Sequence, residues 1–224
     1  MSNKINYGII GNGLIAKHFT NYLSLENISF TKWNRKESKK SPENTLKTCP
    51  VILLLISDGA IENFIKSNPW LQQKKVVHFS GALNINNCLS YHPLMTFAKS
   101  LYSLEEYRNI PFIGIKNQIS FSEIFPDLKN SYHEIESCVI SGNFTNILWQ
   151  KTFKDFEDKL GLPKEVLTPY LQKTLINIKN DPFNSLTGPI ARDDKKTIHK
   201  NIESLGSLTW KKIYKLFVKA YKTS

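Results

Sequence analysis

The chain has 224 residues, 41% hydrophobic and 12% aromatic, with 30 Lys+Arg against 19 Asp+Glu for a net charge of +11. This is enough for one sizeable packed domain or two small ones. The longest apolar run, VILLLI at residues 51–56, is far too short to span a membrane, and three widely spaced cysteines with no C-x-x-C pair suggest neither a zinc site nor a disulfide framework.

The N-terminal segment MSNKINYGII lacks a signal-peptide pattern, so a cytoplasmic protein with no membrane association is expected. The basic residues are scattered, densest in NRKESKK (34–40) and TWKKIYKLFVKAYK (209–222). They read as a lysine-rich solvated surface or, alternatively, as an attraction for anionic small molecules. Nucleic-acid binding is not expected, because no surface aromatics interleave with the charges along a groove-fitting element.

Residues 5–10 read as a buried strand ended by Gly11, and residues 15–25 as a helix with Ile15, His18, Phe19, Tyr22 and Leu23 on one face. Residues 28–33 form the next β-rich run. Residues 51–56, bounded by Pro50 and Ser57-Asp58-Gly59, look like a parallel strand covered on both faces. A short helix at 60–71, a strand at 76–79 and further strands at 89–92 and 111–115 follow. Near Asn130 the character changes, and from Ser137 three helical stretches run to the end, separated by Gly161-Leu162-Pro163 and by residues 181–194. The expected fold is α/β, a Rossmann-type parallel sheet domain at 1–130 followed by a small all-helical domain at 131–224. The helical part carries an apolar stripe, Trp210, Ile213, Tyr214, Phe217 and Tyr221, suited to a core or a homodimer surface.

The string Gly11-Asn12-Gly13-Leu14-Ile15-Ala16 stands between the first strand and the first helix. A G-x-G-x-x-A turn in that place is a dinucleotide fingerprint. Gly11 permits the turn, Gly13 lets the backbone approach a pyrophosphate, and the helix N-terminus offers free N–H groups and positive potential. Asn12, Leu14 and Ile15 complete the turn. Ser57 and Asp58, after the third strand, are assigned to the same ligand. The second strand ends at Trp33-Asn34-Arg35-Lys36, with no acid until Glu37. A carboxylate at the strand end would read the ribose hydroxyls of NAD. Arg35 and Lys36, with Asn34 or Ser38 to hydrogen-bond it, instead suit a 2′-phosphate, so the cofactor expected is NADP(H).

Four stretches are more specific: LLLISDGAIENFI, HFSGAL with SYHPLMTF, SGNFTNILWQ, and LTGPIARDDKKTIHKNIESL. On these the chain resembles the family of Rossmann-like proteins followed by a DUF2520 domain. More distantly it is similar to the 6-phosphogluconate dehydrogenase superfamily, which includes ketopantoate reductases and pyrroline-5-carboxylate reductases. The resemblance implies NADPH-dependent reduction of a small anionic carbonyl acid, with ketopantoate (2-dehydropantoate) the best single substrate and another oxo or imino acid the alternative. The lysine that hydroxyacid dehydrogenases place four residues before the helix asparagine is Val139 here. The proton donor must then be another group, or the protein is a non-catalytic NADP-binding redox sensor.

Five residues are candidates for the chemistry. Ser80, after a strand, can bond the nicotinamide or the substrate. His92, fixed by Pro93, can protonate a forming alkoxide, or else bond backbone as an architectural turn. Asn143, beside Ser141-Gly142 on the first long helix, is placed by the resemblance where related dehydrogenases orient the substrate. Thr187 and Arg192 lie in an interhelical loop, where Arg192 presents a fork suited to a substrate carboxylate or to an aspartate of its own loop. His78 reads as structural, and no metal is expected.

Overall fold

The computed structural model describes residues 5–134 and 141–223. It divides into two compact units, Met1–Asn146 and Ile147–Ser224.

The first unit is built on a sheet of seven strands in the order β2-β1-β3-β4-β5-β6-β7. The strands are β1 (Tyr7–Ile10), β2 (Phe30–Trp33), β3 (Val51–Leu54), β4 (Lys75–His78), β5 (Leu89–Pro93), β6 (Phe112–Gly114) and β7 (Tyr132–Glu134). The helices between them are α1 (Leu14–Leu25), α2 (Pro42–Leu46), α3 (Asp58–Lys66), α4 (Leu104–Arg108) and α5 (Phe121–Ile124), with a 3-10 turn at Pro69–Gln73. The expected boundary after residue 130 falls before β7, which pairs parallel to β6 and so belongs to the sheet.

Alternation along the strands sorts side chains to two faces. Tyr7, Ile9, Leu53, Val77 and Phe79 enter one buried cluster with Phe19 of α1. Ile10, Ile52, Leu54 and Val76 enter the other, with Leu46 of α2 and Ile61 of α3. Both faces are covered, which is why β3 reads as an unbroken apolar run. Gly8 has no side chain because Ile52 fills its place: a Cβ there would lie 2.5 Å from Ile52 Cδ1.

The sheet is parallel except between β5 and β6. After β5 the chain is pinned onto α1 by the buried His18, whose Nε2 lies 2.7 Å from the Ala98 carbonyl and whose Nδ1 lies 2.9 Å from the Tyr107 hydroxyl. The carbonyl can only accept, so Nε2 carries the proton and Nδ1 accepts from Tyr107. The chain returns at Pro111, whose carbonyl accepts from Leu94 N–H at 2.8 Å. Thus β6 starts where β5 ends, and runs against it. The expected Rossmann-type parallel sheet is thus present with one antiparallel pair, β5 and β6, whose long-range contacts leave no periodic signal in the sequence.

The second unit contains most of α6 (Ser141–Leu160), then a 3-10 turn (Lys164–Leu167), α7 (Thr168–Asn180), α8 (Lys195–Ser204) and α9 (Leu208–Thr223). The last helical stretch expected from the sequence is two helices: Gly206 lies between them, and Ser207 O accepts from Lys211 N–H at 3.0 Å to begin α9. Asn201 of α8 donates to the Tyr214 hydroxyl of α9 at 3.2 Å. Ile198 and Ile202 are buried, and of the expected stripe Trp210, Ile213 and Tyr214 are half-buried while Phe217 and Tyr221 are exposed.

Candidate functional site

Chain order reverses direction across the sheet at β1. The chain moves from β1 to β2 on one side and then returns to β3 on the other. The loops leaving β1 and β3 therefore part at their C-terminal ends and open a crevice, the place where open α/β sheets bind ligands. A cleft of about 620 Å³ lies there, and its lining includes residues 10–15, 33–36, 54–58 and 79–80.

Gly11 closes the turn against β3. Its φ is +132°, and a Cβ would lie 2.1 Å from the Leu55 carbonyl oxygen. Leu55 N–H donates to Ile10 O at 2.8 Å and Gly11 N–H to Trp33 O at 3.1 Å, so three strands fix this backbone at once. Gly13 is the opposite case. A Cβ there would meet nothing within 4 Å. It is the N-cap of α1, no side chain caps the helix, and its first turn has no acid. The N–H groups of that turn have no side-chain acceptor beside the cleft, which suits a phosphate.

At the β2 end, Arg35 and Lys36 are exposed and line the cleft, and among the described residues neither side chain forms an ion pair within 4 Å. Asn34 is buried and holds the loop: Oδ1 accepts from Lys36 N–H and Glu37 N–H, each at 3.1 Å. Its Nδ2 donates to Glu37 Oε2 at 2.9 Å. Asn34 thus positions the two cations, whereas the sequence reading gave it a direct bond to the ligand. Trp33 and Phe64, ring centroids 6.1 Å apart, supply an apolar wall suited to a flat ring. Phe64 on α3 was not foreseen, since nothing in an amphipathic helix says which residue will face a neighbouring crevice.

At the other end, Ser57 precedes α3 and Asp58 is its first residue. Ser80, buried after β4, donates its hydroxyl proton to Asp58 Oδ2 at 2.7 Å and accepts from Ala82 N–H at 3.2 Å. With its proton engaged, Ser80 meets a ligand as an acceptor. His92 Nδ1 lies 3.0 Å from the Phe79 carbonyl, so Nδ1 carries the proton and Nε2 is a bare acceptor in the neutral ring. The ring packs on Gly81, where a Cβ would lie 3.1 Å from it. His92 is therefore anchored as the architectural reading expected, and it is not among the residues lining the cleft.

His78, fully buried beneath Ser80, accepts from Ser80 N–H at Nδ1 (3.3 Å), and its Nε2 has no partner among the described residues. Burial holds its pKa below the ordinary value, offset in part by Asp58. Cys49 and Cys88 are free thiols, and burial pushes Cys88 up to about 12, so it is inert as a nucleophile. Cys138 lies outside the described residues. Among the described residues no group of three His, Cys, Asp or Glu could hold a metal ion, and no helix is long and apolar enough to cross a membrane.

Of the remaining candidates, Asn143 stands on α6 with its side chain outside the described residues. Thr187 and Arg192 belong to the second unit and are exposed. Their loop turns on Gly188, at φ +91°, and closes through Arg192 N–H to Gly188 O at 3.2 Å and Asp194 N–H to Pro189 O at 2.9 Å. The loop's aspartates are engaged elsewhere. Asp193 accepts from Lys222 Nζ at 2.5 Å, and Asp194 caps α8 through Thr197 N–H at 3.0 Å. Among the described residues the Arg192 guanidinium forms no ion pair within 4 Å, although its charge joins the bonds from Thr197 in holding the Asp194 carboxyl below the usual range.

No protein among curated sequences matches the chain significantly. Solved structures share its fold at low identity. A Bacteroides fragilis protein described as an NADP oxidoreductase superposes with a TM-score of 0.77 at 17% identity, over 97% of each chain. Pyrroline carboxylate reductase from Plasmodium falciparum, solved with NADP bound, gives 0.59 at 16% over 96% of each. An imine reductase from Streptomyces aurantiacus gives 0.59 at 13% over 97% of this chain and 93% of that one. Residues 117–221 match the family model described as a domain of unknown function, DUF2520, and the fold of the chain is similar to that of NADP-binding Rossmann-like oxidoreductases.

Proposed function

We propose that the protein is an NADPH-dependent reductase of a small anionic substrate with a C=O or C=N bond. The observation that carries this is the order of groups along the cleft. Two unpaired cations stand at the β2 end, the uncapped N-terminus of α1 with bare Gly13 in the middle, and Ser80 with Asp58 at the far end. That order matches a 2′-phosphorylated adenosine, a pyrophosphate and a nicotinamide laid across the strand ends. When bound, the cofactor supplies a hydride.

The chain's own residues supply the rest. The α1 N–H groups hold the pyrophosphate, Arg35 and Lys36 take the 2′-phosphate, and Ser80 accepts a bond at the reactive end. For the substrate itself the family resemblance implies Arg192 at a carboxylate and Asn143 at the reacting group. His92, held through Nδ1 on the Phe79 carbonyl and outside the residues lining the cleft, is not assigned the proton transfer.

A 2-oxo acid is the first substrate class, with ketopantoate its leading member on the family resemblance. The pyrroline carboxylate and imine reductases among the similar structures favour a cyclic imino acid as the second reading. Leu175, Ile176 and Ile178 of α7, 48–66% exposed, support association into a homodimer, which a monomer in sedimentation at micromolar concentration refutes.

The test is initial-rate NADPH oxidation against ketopantoate, other small 2-oxo acids and pyrroline-5-carboxylate. Turnover with any of them supports the reductase. Tight NADPH binding with no turnover across the panel converts the reading to a non-catalytic redox sensor.

A further inference from the structure

Beside the β2 end of the cleft stands a carboxylate, Glu37, bonded to two of the cleft-lining residues. Glu37 follows Arg35 and Lys36, and the tight loop after β2 turns it back toward the glycine-rich turn. Its Oε1 accepts from Asn12 Nδ2 at 3.1 Å and its Oε2 from Asn34 Nδ2 at 2.9 Å. Asn12 is held in turn from β2, where Lys32 Nζ donates to its Oδ1 at 3.0 Å. The chain Lys32–Asn12–Glu37–Asn34 thus ties three segments together beside the cleft. Two of its members, Asn12 and Asn34, line the cleft. Both amide groups that a phosphate would attract from this corner already serve the carboxylate.

We propose that Glu37 is a specificity-determining residue that weakens recognition of the 2′-phosphate, so that NADPH and NADH are discriminated less than Arg35 and Lys36 alone would allow. The inference rests on the cofactor reading given above. Two effects act together. The carboxylate repels a 2′-phosphate brought to this corner, and it engages one N–H of each of two amides, turning them toward itself. An unphosphorylated ribose meets neither penalty, since its hydroxyls can donate to the same carboxylate.

The experiment is isothermal titration of the full-length protein with NADPH and with NADH, for wild type, Glu37→Gln, Glu37→Ala and Arg35→Asp. Glu37 is exposed on a loop, so both of its variants should fold, and thermal melts check this. Glu37→Gln removes the charge and keeps an amide for the clasp, while Glu37→Ala removes both. The expected result is that both bind NADPH about tenfold more tightly than wild type, with less gain at high salt, while neither binds NADH more tightly. Arg35→Asp should do the reverse, losing NADPH affinity far more than NADH affinity. NADPH affinity unchanged or weakened in both Glu37 variants, with Arg35→Asp behaving as expected, overturns the role of Glu37 and leaves the cofactor reading standing. Wild type that binds neither nucleotide, or Arg35→Asp with an unchanged ratio, overturns the cofactor reading and this inference with it.

Discussion

Adding one methyl group at Gly13 and one at Gly11 should have opposite consequences. At Gly13 the backbone is already in a region open to any L residue (φ −74°, ψ −173°), and the new Cβ meets nothing within 4 Å. Alanine loses less conformational entropy on folding, a gain of about 0.4–1 kcal/mol. It is a poorer N-cap than glycine by a similar amount, so the net change in stability should lie within about 0.5 kcal/mol. At Gly11 the methyl would stand 2.1 Å from the Leu55 carbonyl oxygen, and φ is +132°. The clash cannot relax by parting β1 from β3, because Leu55 N–H is bonded to Ile10 O at 2.8 Å. Gly11→Ala should therefore cost about 3 kcal/mol or more. Binding should separate differently. On the cofactor reading proposed above, a phosphate would use the space that Gly13 leaves to reach the α1 N–H groups. Losing one charge-assisted bond there costs about 1.5–3 kcal/mol, or roughly tenfold to a hundredfold in NADPH affinity. Urea denaturation and calorimetric titration of both variants make the comparison. If Gly13→Ala is as destabilising as Gly11→Ala, or binds NADPH as wild type does, the assignment of the open space is wrong.

Two further outcomes follow from particular side chains. Burial depresses the His78 pKa below its ordinary 6.5. As pH falls through that value the unfolded chain gains a proton that the folded chain does not. Stability should then drop by up to about 1.4 kcal/mol per pH unit until the folded-state pKa is reached, and level off below it. His78→Gln should flatten that part of the curve, and denaturant midpoints for both proteins between about pH 7.5 and 5.5 test it; parallel curves refute it. If the protein reduces a 2-oxo or imino acid, Arg192→Ala should raise KM roughly tenfold to a hundredfold with NADPH affinity unchanged, and Asn143→Ala should lower turnover instead. Activity intact in both variants removes these two residues from the site.

What the sequence determined by itself is local. Apolar alternation and the break at Gly11 place β1, and the uninterrupted apolar residues of β3 announce a strand covered on both faces, because each signal lies within a few residues of the chain. The glycine-rich turn was legible for the same reason: a positive φ and an uncapped helix start leave their mark in residue type. What only the tertiary structure decided depends on partners distant in sequence. The reversal between β5 and β6 is accompanied by His18 reaching Ala98 and Tyr107, contacts 80 and 89 residues apart in the chain with no periodicity to betray them. The engagement of Ser80 by Asp58, the anchoring of His92 on Phe79 O, and the reach of Glu37 to Asn12 are of the same kind. Residue types state what a side chain is able to bond, but a hydrogen bond is made over about 3 Å. Only the packed sheet, by bringing the ends of β1, β2, β3 and β4 to one edge, determines which of those bonds are taken and which remain for a ligand.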